Sequence, residues 1–433
     1  MKKSLIDDVG LSNPWLVDSH EIIDLTSYIP RAQSELLLSE EWDDMWLTLI
    51  GPRRAGKTTL GKFIASQLIG YKRFNTLLYV NCDYASIRNE LTSPKLLVDL
   101  VKHFQLVSPI IFIDEAQRLE NAGLLLKAII DLGLPYKLIA SGSSQLEIKS
   151  NISEYLTGRQ FEYTVLPMSV KELASVDDNI KDRVIYGSYP RVIFSKQPQR
   201  ILSELYRDYI RKDIVEILRV SKPHVIEKLL GLLAHQSGQL VNYQQLATDC
   251  QVSLHVLKNC LAILQETYII KMVRPYVGNK RTEITSNPVI YFIDNGFRNQ
   301  SLVNFSALEQ RTDNGLLVEG YVFQELYKLV TQKRVAYTIH YWRSKSGAEV
   351  DFVLATPQGA ILPVEVKYQR MDKAKVTRSL RSFLQNYHPE YALVITKDYY
   401  GNEIIDETQV IFLPISEMGK VVEKVLEVMI RAC

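Results

Sequence analysis

GPRRAGKT, at residues 51–58, fits the pattern G-x-x-x-x-G-K-[ST] at every fixed position. The apolar run WLTLI (46–50) comes directly before it and predicts a short strand, and residues 59–68 follow with apolar side chains at helical spacing. A strand, a glycine-containing loop and a helix are the context in which this pattern binds a phosphate chain. The alternative is a glycine turn that merely precedes a helix. We expect the phosphate-binding loop.

Each residue type in this loop has a chemical reason. Gly51 and Gly56 let the backbone wrap a phosphate chain, so that N–H groups and the positive end of the following helix point at the anion. Lys57 is expected to reach the β- and γ-phosphates, and the Thr58 hydroxyl to ligate Mg²⁺. The sequence therefore predicts ATP and Mg²⁺ as cofactors. The other predicted ATP-contacting residues are Pro52, Arg53, Arg54, Ala55 and Thr59.

Two carboxylates follow a second predicted strand, SPIIFIDE (108–115). Its four consecutive apolar residues are typical of a central parallel strand covered on both faces, and α/β sheets place ligands at the C-terminal ends of such strands. Asp114 is expected to hold Mg²⁺ and Glu115 to orient the attacking water. Ser141, after a third strand, is expected to contact the γ-phosphate or that water, although serines are also common turn residues.

Arg159, in the segment YLTGR (155–159), is a candidate for completing the ATP site of a neighbouring subunit. That role requires a homo-oligomer. The alternative is an ordinary surface arginine in a loop.

Composition indicates an ordinary globular chain of two or three domains: 433 residues, 46% hydrophobic and 23% charged, with a formal net charge of +2. So small a net charge does not by itself predict a polyanionic partner. The cysteines form no CxxC pair, so we expect reduced thiols rather than zinc or disulfides. No signal peptide or membrane-spanning run is recognisable, which predicts a cytoplasmic protein without membrane contact.

From residue 224 the pattern changes to three helices and a hairpin, the layout of a winged helix. The predicted helices are His224–His235, Tyr243–Thr248 and Leu254–Thr267, and the predicted wing pairs residues 268–276 with Glu283 and Ile284. In such a fold the third helix enters a DNA major groove and the wing contacts phosphates. Winged helices also serve as protein–protein modules. The candidate DNA-contacting residues are His255, Lys258, Asn259, Lys280 and Arg281.

The C-terminal region holds a second candidate site. Asp351 lies on one predicted strand, and Glu365 and Lys367 project from one face of the next. An aspartate with Glu-x-Lys is what metal-dependent phosphodiester cleavage requires, with the carboxylates holding Mg²⁺ and the lysine positioning a water. Glu319, on a preceding helix, is a plausible fourth member. The same residues also occur on solvated sheet edges.

Together these stretches resemble a family of archaeal and bacterial AAA-type ATPases that end in a restriction-endonuclease-like domain of unknown function. The resemblance implies ATP binding at Lys57 and Thr58, hydrolysis with Mg²⁺ at Asp114 and Glu115, and a nuclease-like site at the four C-terminal residues named above. Arg54 stands where such families commonly have a neutral residue. The stretches that carry the resemblance are GPRRAGKTTL, IIFIDEAQRL, IASGSSQLEI, YLTGRQFEYTVLPMSVKEL, YGSYPRVI, GLLVEGYVFQELY, GAEVDFVL and PVEVKY.

We therefore expect an α/β protein: a P-loop NTPase parallel sheet of AAA type, followed by a winged-helix domain and a C-terminal α/β restriction-endonuclease-like domain. The expected boundaries are 1–166 for the ATPase core, 167–222 for a small lid-like helical segment, 223–300 for the winged helix and 301–433 for the last domain. Two functions follow. One is an ATPase coupled to DNA binding or remodelling. The other is an ATP-operated switch for protein partners, in which the C-terminal domains are scaffolds.

Overall fold

The structure is a computed structural model that describes residues 2–18, 20–26, 28–32, 34–39, 45–142, 160–174, 176, 179–210, 223–277, 286–331 and 337–432. The chain divides into two compact units, Met1–Pro167 and Met168–Cys433. Each unit is described by itself.

The N-terminal unit is built on a five-stranded parallel sheet with the strand order β2-β3-β4-β1-β5 among the described residues. Strands β1, β3 and β4 are buried along their whole length, as expected of central strands covered by helices on both faces. The elements are α1 Lys3–Ser12, α2 Pro14–Val17, α3 Ser34–Leu37, β1 Trp46–Ile50, α4 Lys57–Gly70, β2 Thr76–Asn81, α5 Ala85–Glu90, α6 Pro94–His103, β3 Pro109–Asp114, α7 Ala122–Asp131, β4 Lys137–Gly142 and β5 Gln160–Thr164.

The predicted strands of this unit are confirmed, and their register explains why the predicted residues meet. Ile50 pairs with Gly142, and Ile113 pairs with Ala140. The C-terminal ends of β1, β3 and β4 therefore lie at one edge of the sheet, and the loop after β1 lies at the same edge.

Residues that precede β1 cover the edge strand β2. The Asn13 amide accepts a hydrogen bond from the Tyr79 backbone N–H at 2.6 Å and donates one to the Tyr79 carbonyl at 2.7 Å. The Trp15 indole donates to the Leu77 carbonyl at 2.8 Å. These side chains satisfy backbone groups that an edge strand otherwise leaves unpaired.

The C-terminal unit combines a helical part with an eight-stranded mixed sheet of order β12-β13-β11-β10-β9-β8-β6-β7, counted over the described residues. The elements are α8 Val170–Leu173, α9 Ile180–Tyr186, α10 Pro190–Ile193, α11 Pro198–Asp208, α12 Pro223–His235, α13 Tyr243–Cys250, α14 Leu254–Glu266, β6 Ile270–Pro275, β7 Val289–Phe292, α15 Asn295–Leu302, α16 Asn314–Thr331, β8 Thr338–Arg343, β9 Glu349–Ala355, β10 Ile361–Lys367, α17 Arg378–Tyr387, β11 Tyr391–Thr396, β12 Gly401–Ile405, β13 Thr408–Pro414 and α18 Met418–Ala432.

The hairpin predicted as a wing differs from the expectation. Strand β6 pairs antiparallel with β7, four residues that begin at Val289, whereas the predicted return strand at residues 283–284 lies outside the described residues. β6 also pairs in parallel with β8, with Arg274 opposite His340. One sheet therefore continues across the predicted boundary at residue 300, because β6 supplies an edge on which β8 adds its hydrogen bonds.

Apolar residues at helical spacing also predict a helix over Tyr206–Leu218, and the structure describes a helix that begins before this range. It is α11, which starts at Pro198 after the N-cap Gln197, and residues 211–222 are outside the described part of the chain. Proline at a first helical position costs no hydrogen bond, because that N–H has no partner within the helix.

Helix α16 is held by buried polar side chains. Lys328 donates to Glu325 at 2.7 Å and to the Met168 carbonyl at 2.8 Å. Gln324 donates to Asn295 at 2.8 Å and to the Phe292 carbonyl at 3.1 Å. These bonds fix the helix that carries Glu319.

No helix in the described part of the chain is long and apolar enough to span a bilayer.

Candidate functional site

The loop after β1 has the geometry of an anion cradle. Helix α4 begins at Lys57, and its N-cap Gly56 adopts a left-handed conformation with φ 103° and has no side chain to cap the first-turn N–H groups. Lys57 Nζ donates to the carbonyls of Gly51 and Pro52, each at 2.9 Å. The first-turn N–H groups and the positive end of α4 therefore face the place where a phosphate group would bind.

The start of this loop is packed against the chain that follows β5. Gly51 has φ 138°, and a Cβ at this position would lie 2.1 Å from the Val165 carbonyl oxygen. The Val165 N–H donates to the Ile50 carbonyl at 2.7 Å. Only glycine fits both the backbone angle and the close approach.

The remaining predicted loop residues differ in exposure. Pro52 and Ala55 are buried, Arg53 and Thr59 are half-buried, and Arg54 is exposed with φ 61°. The charge that Arg54 adds therefore lies on the solvent side of the loop.

Asp114 is the centre of the hydrogen bonds at this edge of the sheet. Its Oδ2 accepts from Thr58 Oγ1 at 2.8 Å and from the Tyr79 hydroxyl at 2.7 Å, and its Oδ1 accepts from Ser141 Oγ. The structure thus joins the loop threonine to the strand aspartate, as the sequence predicts. Mg²⁺ is bound in nucleotide sites by one or two carboxylates together with substrate phosphates, so this donor set fits the ion.

Glu115 occupies a strained position beside this centre. Its backbone is left-handed with φ 54°, which is uncommon for a residue other than glycine and clusters at functional sites. Its N–H donates to Ser141 Oγ at 3.1 Å, and its carboxylate accepts from Gln117 Nε2 at 2.6 Å. Ser141 therefore contacts both predicted acidic residues, and Gln117 is a further contact that the sequence analysis did not identify.

Three predicted site residues lie outside the described residues: Arg159, Lys280 and Arg281. Their predicted roles stay predictions. His255, Lys258 and Asn259 are exposed together on α14.

The four predicted residues of the C-terminal site are brought together. Lys367 Nζ lies 2.9 Å from Glu365 Oε1, and Asp351 accepts a hydrogen bond from the Val366 N–H at 2.7 Å. Glu319 accepts from the Tyr291 hydroxyl at 2.6 Å. Glu365 is 3% exposed, and its buried Oε2 has no hydrogen-bond partner among the residues that the structure describes. An unsatisfied buried carboxylate oxygen is costly and marks a place for a positive ligand.

The electrostatics of this acidic cluster follow from burial and crowding. Burial raises the pKa of Glu319 to about 7, and the charges of Glu349 and Glu365 act in the same direction. Burial, with the charges of Glu319 and Glu365, also raises the pKa of Asp351 well above its usual range. Burial lowers the pKa of Lys367, but the adjacent Glu365 outweighs it and the net pKa is raised. The cluster contains more carboxylates than basic groups, and Lys367 offsets only part of their negative charge.

Each of these carboxylates has a protein partner: the Tyr291 hydroxyl for Glu319, the Val366 N–H for Asp351 and Lys367 for Glu365. Among the residues that the structure describes, no group of three or more histidine, cysteine, aspartate or glutamate side chains is placed to hold a metal ion. Glu319 is instead turned to Tyr291.

A cavity of about 440 Å³ opens on the cluster. Such a volume is within the range of small-ligand sites. The lining residues that bear charge or approach the carboxylates are Gly238, Tyr291, Glu319, Arg343, Glu349 and Asp351. Gly238, Tyr291, Arg343 and Glu349 were not identified from the sequence. Glu349 lies on the same strand as Asp351 and pairs with Arg343, whereas only the fold brings Gly238 and Tyr291 to this cavity.

Comparison with known families divides the chain into three matched regions. Residues 43–174 match a family described as an AAA domain. Residues 177–309 and 314–418 match two families described as domains of unknown function, DUF8612 and DUF4143. The boundary between the latter two lies between α15 and α16.

Similar proteins occur in bacteria and archaea, and those found are uncharacterized. A Haemophilus influenzae protein is 24% identical over 396 residues, covering 86% of this chain and 93% of the relative. A Mycobacterium tuberculosis protein is 26% identical over 345 residues, covering 78% and 73%. A Methanocaldococcus jannaschii protein is 20% identical over 420 residues, covering 89% and 87%.

Solved structures give weaker matches. The replication initiator DnaA bound to AMPPCP and single-stranded DNA is 13% identical with a TM-score of 0.30, covering 56% of this chain and 91% of that chain. The Caenorhabditis elegans protein PCH-2 is 16% identical with a TM-score of 0.23, covering 53% and 65%. The family matches carry more: the chain contains an AAA-type P-loop domain followed by two domains of unknown function, and it is similar to uncharacterized proteins of bacteria and archaea.

Proposed function

We propose that this protein binds and hydrolyses ATP with Mg²⁺ and couples hydrolysis to the binding or remodelling of DNA. The observation that carries the ATPase assignment is the 2.8 Å hydrogen bond from Thr58 to Asp114. It joins the two halves of a nucleotide site at the N-terminus of α4, directly beside Lys57.

The residues of the site divide the work of hydrolysis. Lys57 exchanges its carbonyl partners for the phosphates, and the N–H groups of α4 hold the same anion. Thr58 and Asp114 would hold Mg²⁺, which would supply neutralisation of the phosphate charge. Glu115 orients the attacking water, and Ser141 holds the backbone of Glu115. Arg159 from a neighbouring subunit is proposed to complete the site, which makes a homo-oligomer part of the proposal.

Coupling to DNA is proposed through the C-terminal unit. Its support is the exposed polar group on α14, where Asn259 Nδ2 lies 3.2 Å from the His255 ring and Lys258 is adjacent. Lys280 and Arg281 are proposed to add phosphate contacts. Short basic and amide side chains on one exposed helix face are typical of nucleic-acid contact.

The test is steady-state ATP hydrolysis by wild type and Glu115→Gln, with and without duplex, single-stranded and branched DNA. We expect hydrolysis by wild type, at least a ~100-fold loss in the variant because the water loses its orienting carboxylate, and stimulation by one DNA form. Equal hydrolysis by wild type and variant would refute the assignment of Glu115.

Hydrolysis that is indifferent to every DNA form would favour the second function, an ATP-operated switch for a protein partner. In the described part of the chain, the lack of three converging metal ligands favours this scaffold role for the C-terminal unit. Affinity capture with wild type and Glu115→Gln would then show whether a partner is retained in the ATP-bound variant.

Phosphodiester cleavage at the acidic cluster is a subordinate proposal, motivated by the unpartnered Glu365 oxygen. Substrate phosphate would have to complete any ion's ligands there. Cleavage in Mg²⁺ or Mn²⁺ that disappears in both Asp351→Ala and Lys367→Ala would support it. Identical cleavage by these variants would identify a contaminating nuclease.

A further inference from the structure

A second layer of side chains lies behind Asp114. Tyr79 stands on β2, beside β3, and its register partner is Phe112, two residues before Asp114. The Tyr79 ring lies 5.4 Å from the Phe112 ring and is 5% exposed. From this fixed position its hydroxyl donates to Asp114 Oδ2 at 2.7 Å.

Lys62 continues this layer from the helix that carries the phosphate-binding residues. It stands on α4, four residues after Thr58, and its Nζ lies 4.2 Å from the centre of the Tyr79 ring. A cation over an aromatic face is attracted by the ring. The centre of the Trp15 ring lies 5.8 Å from the same ammonium.

The layer has the right chemistry to orient a metal-binding carboxylate. Asp114 is 4% exposed, so water competes little for its oxygens. Oδ2 accepts from two hydroxyls, and one of them belongs to Thr58, which is also the residue expected to face the ion. The Tyr79 hydroxyl therefore keeps Asp114 in place when Thr58 turns toward a ligand. Lys62 places a positive charge behind the same carboxylate.

We infer that Tyr79 and Lys62 are positioning residues for the Mg²⁺ end of the nucleotide site. Tyr79 acts through its hydrogen bond to Asp114, and Lys62 acts through the Tyr79 ring and its charge. This inference rests on the proposed ATP site. Partners that orient metal ligands typically affect metal affinity or activity ~10- to 100-fold when they are changed.

The test separates nucleotide binding from Mg²⁺ dependence. Equilibrium binding of a fluorescent, non-hydrolysable ATP analogue to the full chain is measured in EDTA and across a Mg²⁺ titration. The variants are Tyr79→Phe, which keeps the ring against Phe112, and Lys62→Met, which keeps a long apolar stem. Tyr189→Phe, a buried tyrosine of the C-terminal unit, and Lys95→Met, an exposed lysine, are matched controls.

We expect both test variants to bind the analogue in EDTA within about twofold of wild type, because the Tyr79 hydroxyl bonds to Asp114 and the Lys62 ammonium lies over the Tyr79 ring. The Mg²⁺ concentration for half-maximal enhancement should rise ~10-fold in Tyr79→Phe and less in Lys62→Met. In Lys62→Arg this Mg²⁺ concentration should equal the wild-type value, since arginine keeps the charge over the ring.

Two results would overturn the inference. One is an unchanged Mg²⁺ titration in both variants. The other is an equal loss of binding with and without Mg²⁺, which would show general damage to the unit. Failure of wild type to bind the analogue under either condition would instead refute the proposed ATP site.

Discussion

Two carboxylate sites in this chain are built in opposite ways. Asp114 accepts hydrogen bonds from three hydroxyls, so both of its oxygens are satisfied. In the acidic cluster, the charges of Glu319 and Glu365 both act on the buried Asp351, with Lys367 as a neighbouring cation, and one buried Glu365 oxygen has no hydrogen-bond partner among the described residues. The same residue types thus give a fully hydrogen-bonded carboxylate in one unit and an unbalanced charge cluster in the other, because the number of nearby donors differs.

The loop beside Asp114 is held in place by close packing, and Gly51→Ala should disrupt that packing. The new Cβ would lie 2.1 Å from the Val165 carbonyl at φ 138°, so we expect ~3 kcal/mol or more of destabilisation and loss of nucleotide binding. Thermal and urea unfolding of the full chain measure the first effect, and analogue binding measures the second.

Gly70→Ala is the matched control for that prediction. A Cβ at Gly70 meets nothing within 4 Å, and alanine is the better helix former by up to ~1 kcal/mol. The control should therefore be neutral or slightly stabilising. Equal stability of the two variants would show that the Val165 contact does not hold the loop.

The crowded carboxyl groups of the acidic cluster should make the free energy of unfolding depend on pH. Native Glu319 keeps its proton up to a pKa of about 7, whereas in the unfolded chain the carboxyl loses it near 4.5. Between these values the native state binds more protons, so the free energy of unfolding falls as pH rises from about 4.5 to about 7. Glu319→Gln removes this dependence, and we expect the variant to gain ~3 kcal/mol on wild type between pH 4.5 and pH 8.

Unfolding midpoints of wild type and Glu319→Gln across this pH range provide the measurement. The exposed Glu407→Gln is the control, and its difference from wild type should not change with pH. A constant difference for Glu319→Gln as well would mean that the cluster is not charge-strained.

The smallest expected effect is that of Mg²⁺ alone. No three potential ligands converge in the described part of the chain, so an affinity weaker than ~10 mM is expected without nucleotide. At 10 mM Mg²⁺ the linked stabilisation is then below ~0.4 kcal/mol, or about 1–2 °C in melting temperature. A larger shift that vanishes in Glu365→Gln would reveal a formed ion site and remove the contrast with Asp114.

Local patterns predicted much of the N-terminal unit. Residues 46–50 and 110–113 are strands because buried apolar runs suit a covered parallel sheet, and residues 51–58 form the predicted loop before α4. The identities of Lys57, Thr58 and Asp114 followed from motifs, since the chemistry of phosphate and Mg²⁺ permits few residue types at a fixed spacing.

Contacts between distant segments were not predictable in this way. Tyr79 and Lys62 appear in sequence as a strand residue and a helix residue, and Asn13 as part of an irregular lead-in. The return strand of the hairpin is predicted at residues 283–284, which lie outside the described residues, and the sequence did not indicate the pairing of β6 with residues 289–292, because register depends on the partner strands that compete for it.

The sequence by itself therefore determined the chemistry of the nucleotide loop and the residue set of the acidic cluster. Only the tertiary structure decided that Asp114 has three hydroxyl donors, that Glu365 has an unpartnered oxygen, and that one sheet joins β6 to β8. The physical reason is that motifs record which groups are present at short spacing. Hydrogen bonding and burial depend on which remote segments the fold brings beside them.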